Sequence, residues 1–270
     1  MKWFESWFDT EYYHLLYKHR NDEEAKRFLQ RMYGFLQLQN GDPVVDIGCG
    51  KGRHSIAMAQ LGLRVTGLDL SENSILSARQ SAVEKNIEDA EFLVHDMRQP
   101  YPVENCKAVF NIFTSFGYFD DPADDERALS AMGESLLVGG YVVQDYINSK
   151  PLLKCLDGTI LQSMQWQEIS GVKFGTEKWV DHEKIYKRIL VEDERKFATK
   201  EWVDSAMHSS EPLIFTEEIK MYSRDELVQL HQSAGLQVVD VFGSYELDAF
   251  HEDFSPRIIV VSRKCSILAE

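Results

Sequence analysis

The stretch PVVDIGCGKGRHSIAMAQLGLRVTGLDLS, Pro43 to Ser71, decides the fold. Val44, Val45 and Ile47 form a short apolar run bounded on one side by Gly41, Asp42 and Pro43, which predicts a strand. Glycines follow at alternate positions, 48, 50 and 52. From Arg53 to Leu61 the apolar residues Ile56, Ala57 and Leu61 recur at helical spacing. Gly62, which tolerates φ > 0, is placed to end that helix. Val65 to Leu68 is a second apolar run, and Asp69 closes it. Strand, glycine turn, helix, strand and acid together make a βαβ unit.

Glycines cost stability unless a turn or a ligand needs them. Without Cβ atoms the backbone can turn tightly and let a ligand approach. The following helix aims its first N–H groups at that ligand. Asp69 lies about 20 residues beyond the first glycine, where a βαβ unit places a carboxylate on ribose hydroxyls. These features point to a nucleoside. The dinucleotide pattern G-x-G-x-x-G fails at its third glycine, because Arg53 stands there, which weighs against NAD or FAD. The pattern D-x-G-x-G-x-G fits Asp46, Gly48, Gly50 and Gly52 without a gap. It resembles motif I of the class I S-adenosylmethionine (SAM) dependent methyltransferases of small-molecule type. That resemblance implies SAM as cofactor, its methionine end against Gly48 to Gly52 and its ribose on Asp69, with Leu70 beside it.

The chain downstream continues the βα rhythm. Ser71 is an N-cap candidate for a helix to about Glu84. Glu91 to Val94 reads as a third strand, followed by Asp96 and Met97, which the resemblance places beside the adenine. Lys107 to Phe113 reads as a fourth strand; Asn111 joins the expected cofactor set. Thr114 to Phe119 follows at its C-terminal end, where ligand crevices of open α/β sheets lie. This segment resembles motif IV, whose residues line the acceptor pocket, so Ser115 and Tyr118 are candidate acceptor contacts. Asp121 and Pro122 start a helix to Leu137, and Tyr141 to Ile147 is a fifth strand. LLVGGYVVQDYIN resembles the family's L-x-x-G-G-x-hydrophobic-x-x-D segment. Asp145, Tyr146 and Asn148 end that strand near the crevice, with Asn148 a candidate acceptor contact.

Trp3 to Gln39 reads as two helices, near Phe8–His19 and Glu23–Leu38, rich in aromatics. An aromatic N-terminal helix resembles the SAM cover of small-molecule methyltransferases, which makes Tyr12, Tyr13 and Tyr17 candidate cofactor contacts; plain packing is the competing reading. Residues 150–222 break the rhythm. The alternation in Lys184 to Val191 and in Lys200 to Val203 suggests antiparallel strands, with turns at Gly171, Gly175, Asp181-His182 and Asp193-Glu194. By resemblance this insertion is an acceptor-selecting lid. Trp166, Trp179 and Trp202 form its small core or line a pocket, the core being favoured. Ser223 to Glu226 is a capping-box start. Leu236 to Phe242 and Arg257 to Arg263 are the last strands, resembling the antiparallel hairpin of the methyltransferase sheet. Arg257 either binds an acceptor carboxylate or pairs with an acid of the preceding loop.

The expected architecture is therefore α/β: a Rossmann-like open twisted sheet, mostly parallel with a C-terminal antiparallel hairpin, helices on both faces, and a β-rich lid insertion. Its parts are an N-terminal helical cover (1–40), a SAM-binding core (41–149), the insertion (150–222) and a C-terminal helix and hairpin (223–270).

Composition narrows the function. The formal charge of −15 over 270 residues weighs against nucleic acid, whose binders carry a basic patch. The chain lacks an apolar run of membrane-spanning length and the basic, apolar start of a secretion signal, so the cytoplasm is expected. Cys49, Cys106, Cys155 and Cys265 are too scattered for a zinc site, and no metal is expected. Candidates for a base are Tyr118, Tyr146 and His182, with His208 and His251 behind them. Three readings follow: methyl transfer to N, O or C of a small acceptor; a SAM- or SAH-binding module without chemistry; and an RNA methyltransferase. Asn111-Ile112-Phe113-Thr114-Ser115 lacks the prolines of the motif that acts on base amino groups. A homodimer is left open.

Overall fold

The computed structural model describes residues 2–18, 22–154, 160–193 and 212–266. Trp202, His208, Cys155 and the expected strand at Lys200 to Val203 lie outside the described residues. The chain divides into two compact units, one of residues 21–151 and 222–270, the other of residues 1–20 and 152–221.

The larger unit is built on a seven-stranded sheet. The fold-deciding stretch forms β1 (Pro43–Ile47), α4 (Arg53–Gln60) and β2 (Arg64–Asp69), preceded by α3 (Asp22–Phe35). Then follow α5 (Glu72–Glu84), β3 (Ala90–Val94), β4 (Cys106–Asn111), α6 (Pro122–Ser135) and β5 (Leu136–Ile147), while α7 (Lys150–Lys154) runs across the division at residue 151. The C-terminal part adds α8 (Arg224–Ser233), β10 (Leu236–Phe242) and β11 (Arg257–Lys264). Strand order is β10-β11-β5-β4-β1-β2-β3. β3, β2, β1, β4 and β5 run parallel, while β11 is antiparallel to both β5 and β10. This is the expected class of fold. The central strands are buried on both faces and read as near-continuous apolar runs, as parallel strands must. Val44, Val45, Ala108, Val109, Val142 and Val143 are at most 1% exposed.

Local signals set the helix starts. The Ser71 side chain accepts from Ser74 N, and Asp121 accepts from Ala123 N with Pro122 in the first turn. Ser223 and Glu226 form the full capping box. β5 begins at Leu136 rather than Tyr141. Its pairing with β4 shifts register between Cys106 and Ala108, so Gly139 and Gly140 lie inside an irregular strand start.

The smaller unit contains a four-stranded antiparallel sheet, β6 (Ile160–Ile169), β7 (Val172–Asp181), β8 (Lys184–Glu192) and β9 (Leu213–Lys220), in sequence order. Ser170 and Gly171, both at positive φ, make the tight turn that matches strand twist between β6 and β7. Gly175 is not a turn. It lies within β7 opposite Trp166, whose ring occupies the place a Cβ would take. Two short helices, α1 (Trp3–Trp7) and α2 (Glu11–Leu16), share a core with this sheet: Trp7, Tyr12 and Leu16 with Val172, Phe174, Ile189 and Val191. Within the expected first helix at Phe8–His19 the described helix is only Glu11–Leu16, capped by Thr10, and the short α1 precedes that span. Of the insertion's expected core tryptophans, Trp166 and Trp179 are not in this core. Trp166 is 52% exposed, and Trp179 stacks on Tyr186 across the strands. The expected cover of residues 1–40 is likewise divided, with α1 and α2 in the smaller unit and α3 in the larger.

Candidate functional site

The site is assembled at the C-terminal ends of β1, β2 and β4. Gly48, Gly50 and Gly52 all have positive φ, at +69, +54 and +78. The loop crosses from β1 to the end of β2, where Gly48 N and Cys49 N both donate to Leu68 O. Gly50 N donates to Asp69 Oδ2 at 2.8 Å, and Ser71 N donates to Asp69 Oδ1 at 2.9 Å. Asp69 thus meets the glycine loop, as their spacing predicts. Two glycines have separate reasons to lack a side chain. A Cβ on Gly48 would stand 2.6 Å from Ser115 Cβ, whereas one on Gly50 would meet nothing within 4 Å. Gly48 is fixed by packing, and Gly50 opens a cradle lined by backbone and by Asp69. α4 starts on Gly52 with no side-chain cap, so the N–H groups of its first turn lie at the same loop.

Asp46 is 1% exposed and accepts from Ser55 Oγ at 2.6 Å. Burial pushes its pKa up to about 7, against the opposing hydrogen bond from Ser55. It ties the end of β1 to α4. Asn111 ends β4 and is fully buried. Its Nδ2 donates to Ile47 O and Ser115 O, tying β1 to the next loop. Its Oδ1 has no partner among the described residues.

At the end of β3, Asp96 is engaged by Arg98, whose Nε donates to both its oxygens, and Arg98 reaches on to Asp124 at 3.0 Å. Burial raises the Asp96 pKa, but Arg98 outweighs it and holds that carboxyl below its ordinary range. Met97 is half-buried beside it and Leu70 is 41% exposed.

The segment after β4 turns sharply. Phe113 and Thr114 have φ of +68 and +60. Ser115 Oγ donates to Ile112 O at 3.0 Å, and the Tyr118 hydroxyl donates to Thr114 O. Tyr146 is fully buried, and burial drives its pKa well up. His182 is at the β7–β8 turn of the smaller unit, its side chain 90% exposed. Tyr13 and Tyr17 also belong to the smaller unit. Tyr17 donates to Glu217 and accepts from Lys187 at 2.6 Å. Asn148 donates to the carbonyls of Glu252 and Ser255 and accepts from Lys150 N, so its amide fastens the loop 243–256.

Arg257 pairs with Asp145 on β5, not with an acid of its own preceding loop. Its Nε donates to Asp145 Oδ1 at 2.7 Å and its Nη2 to Thr114 Oγ1 at 2.8 Å. Asp145, wholly buried, also accepts at Oδ2 from Phe113 N at 2.7 Å and from Tyr245 Oη at 2.8 Å. Burial lowers the Arg257 pKa, but the Asp145 charge more than offsets it. Burial and then Asp145 push the Tyr245 phenol up. This cluster was not assembled by sequence reasoning. A lone acid ending the run YVVQDYI was its visible sign; Tyr245, in an aperiodic loop, gave none.

The described residues contain no group of three or more His, Cys, Asp or Glu able to hold a metal, and no helix long and apolar enough to cross a membrane. The family described as "Methyltransferase domain" matches residues 38–208, more than half the chain. The ubiquinone biosynthesis O-methyltransferase of Bordetella avium strain 197N is 32% identical over 130 residues, 46% of this chain and 49% of that protein. The S-adenosyl-L-methionine-dependent Diels-Alderase iccD of Talaromyces variabilis is 30% identical over 76 residues, 28% of this chain and 26% of that protein. The matches thus span half or less of the length of these relatives. Among solved structures, the CcbJ methyltransferase from Streptomyces caelestis aligns with a TM-score of 0.77 at 17% identity, covering 97% of this chain and 99% of that one. An S-adenosylmethionine-dependent methyltransferase from Clostridium acetobutylicum ATCC 824 aligns at 0.75 with 15% identity, covering 94% and 96%. At such identities the structural likeness establishes the fold.

Proposed function

This chain belongs to the methyltransferase-domain family, with the class I fold of the SAM-dependent enzymes, and from that premise we propose that it transfers the SAM methyl group to nitrogen, oxygen or carbon of a small-molecule acceptor. The observation that carries this reading is the cradle at Gly50, open toward a Cβ position and bordered by Asp69 Oδ2 on Gly50 N. It suits a nucleoside with hydroxyls for the carboxylate and a chain that lies along bare backbone.

The residues present fit SAM. The Gly48–Gly52 backbone would hold its methionine end, Asp69 its ribose hydroxyls, and the Asp96–Met97 segment its adenine. When bound, SAM supplies an electrophilic methyl on a positive sulfur, and the reactivity is the cofactor's own.

The chain's share is placement. Holding two reactants in line is worth about 7–11 kcal/mol in favourable cases, so a strong base is not required. We assign acceptor orientation to the 113–118 loop, with the Tyr118 hydroxyl as its polar contact and Ser115 packed against Gly48. Of the three candidate bases, Tyr118 alone is on that loop. The net charge of −15 favours a small acceptor over RNA, since phosphate contacts need clustered cations.

The test is incubation of the protein with methyl-labelled SAM and a metabolite extract, followed by mass spectrometry. Label in a small molecule supports transfer. Bound SAM with label nowhere supports a binding module instead, and label in added RNA overturns the choice of acceptor.

A further inference from the structure

Phe113 and Thr114 are consecutive non-glycine residues in the left-handed region, φ +68 and +60. L-residues with a Cβ adopt that conformation at a cost, and two in succession persist only where the surroundings over-determine them. The surroundings here are one carboxylate and its partners. Phe113 N donates to Asp145 Oδ2 at 2.7 Å, and Thr114 N donates to Asp145 O at 3.0 Å. The Thr114 hydroxyl accepts from Arg257 Nη2 at 2.8 Å. Arg257 Nε and Tyr245 Oη then fix the two carboxylate oxygens from the other side, at 2.7 and 2.8 Å. Both the Arg53 and Arg257 guanidiniums approach the Phe113 ring, each 5.8 Å from its centroid.

The turn so held delivers Ser115 against Gly48, where no side chain fits between them. It also points the Thr114 carbonyl at the Tyr118 hydroxyl. The position of the 113–118 loop over the glycine loop is therefore set in part by Asp145 of β5, Arg257 at the start of β11 and Tyr245 of the loop 243–256.

We propose that Asp145, Arg257 and Tyr245 form a clamp that holds the 113–118 loop in its left-handed turn, which makes Arg257 and Tyr245 positioning residues for methyl transfer instead of acceptor ligands. The role in transfer rests on the function proposed above; the clamp itself does not. A plain structural ion pair at the sheet's end is the competing account. That account needs only the Arg257–Asp145 contact, while the clamp needs the link to Thr114.

Thr114→Val separates the two, because it keeps shape and the ion pair and removes the hydroxyl that Arg257 grips. Arg257→Lys keeps the charge but loses the planar fork that reaches Asp145 and Thr114 together. Hydrogen exchange is read by mass spectrometry on peptides covering 112–119 and 106–111, with SAM affinity read by calorimetry. Local opening is visible this way when the rest of the fold stays closed. The clamp predicts exchange at 112–119 at least about tenfold faster in both variants, with 106–111 unchanged. It also predicts SAM affinity within about threefold of wild type and a loss of label transfer of about tenfold or more, as small misplacements of reacting groups produce. Unchanged exchange at 112–119 in both variants overturns the clamp. Faster exchange across both peptides overturns it too, in favour of the structural account. If wild-type protein fails to bind SAM, the role in methyl transfer falls, and the exchange result still judges the clamp.

Discussion

Alanine at Gly48 and alanine at Gly50 are the same chemical change two residues apart, and the structure assigns them different costs. Both positions have positive φ, where a Cβ costs roughly 1–2 kcal/mol. At Gly48 the new methyl also stands 2.6 Å from Ser115 Cβ and 2.9 Å from Ser115 Oγ. Neither neighbour is the far end of a flexible chain, so overpacking adds about 1–3 kcal/mol. Gly48→Ala should therefore lose about 2–5 kcal/mol, a large part of the ~5–15 kcal/mol that holds a domain. Gly50→Ala meets nothing within 4 Å and should lose only the backbone share, roughly 1–2 kcal/mol. Its methyl enters the cradle beside Asp69, so its SAM affinity should fall by about tenfold or more, as crowding a packed site does. Urea unfolding gives the stabilities and calorimetry gives the affinities. Equal destabilisation by both substitutions, or a Gly50→Ala protein with wild-type affinity, would refute the separation of packing from cofactor space.

Further outcomes follow from other parts of the chain. Asp46 binds a proton more tightly folded than unfolded, with a folded pKa of about 7, so its share of stability is complete below pH 4 and is lost as pH rises through 7. Asp46→Asn should flatten the pH 4–7 slope in urea midpoints; an unchanged slope would place the titration elsewhere. In the smaller unit, buried Glu217 accepts from Trp7 Nε1 and from the Tyr17 hydroxyl. Glu217→Ala should loosen α1 and α2 by about 1–3 kcal/mol for each donor left unpaired, seen as faster hydrogen exchange at 3–16, while Glu217→Gln keeps much of the protection. Ser223→Ala breaks the capping box of α8 and should cost about 0.5–2 kcal/mol in thermal or urea unfolding.

What was legible in the sequence depended on how local the determinant was. The βαβ unit could be read because glycine spacing, apolar runs and Asp69 all act within thirty residues of one another. Ser71, Asp121 and Ser223 announced their helices by side chains that cap within three positions. The antiparallel character of the insertion was legible in the period-two alternation of Lys184 to Val191, which is β8, yet Gly175 was misread as a turn. A glycine also serves where another side chain must lie flat, and Trp166 does so there. The split of the N-terminal segment was illegible, since α1 and α2 take their core partners from β7 and β8, more than 150 residues away. Asp145 was visible as an acid at the end of an apolar strand. Its partners were not, because Tyr245 and Arg257 reach it across 100 and 112 residues. For Asp96, sequence placed the acid at the strand end but could not foresee that Arg98 would grip it first.

Everything functional depends on Asp69 and the bare loop at Gly50 forming one nucleoside seat. Titration of SAM into wild type and Asp69→Ala by calorimetry tests that most directly. A charge-assisted hydrogen bond contributes about 1.5–3 kcal/mol, so the account predicts saturable binding to wild type, weakened in the variant by roughly tenfold to a hundredfold or more. Equal affinity in the two proteins, or no heat of binding in wild type, would contradict it.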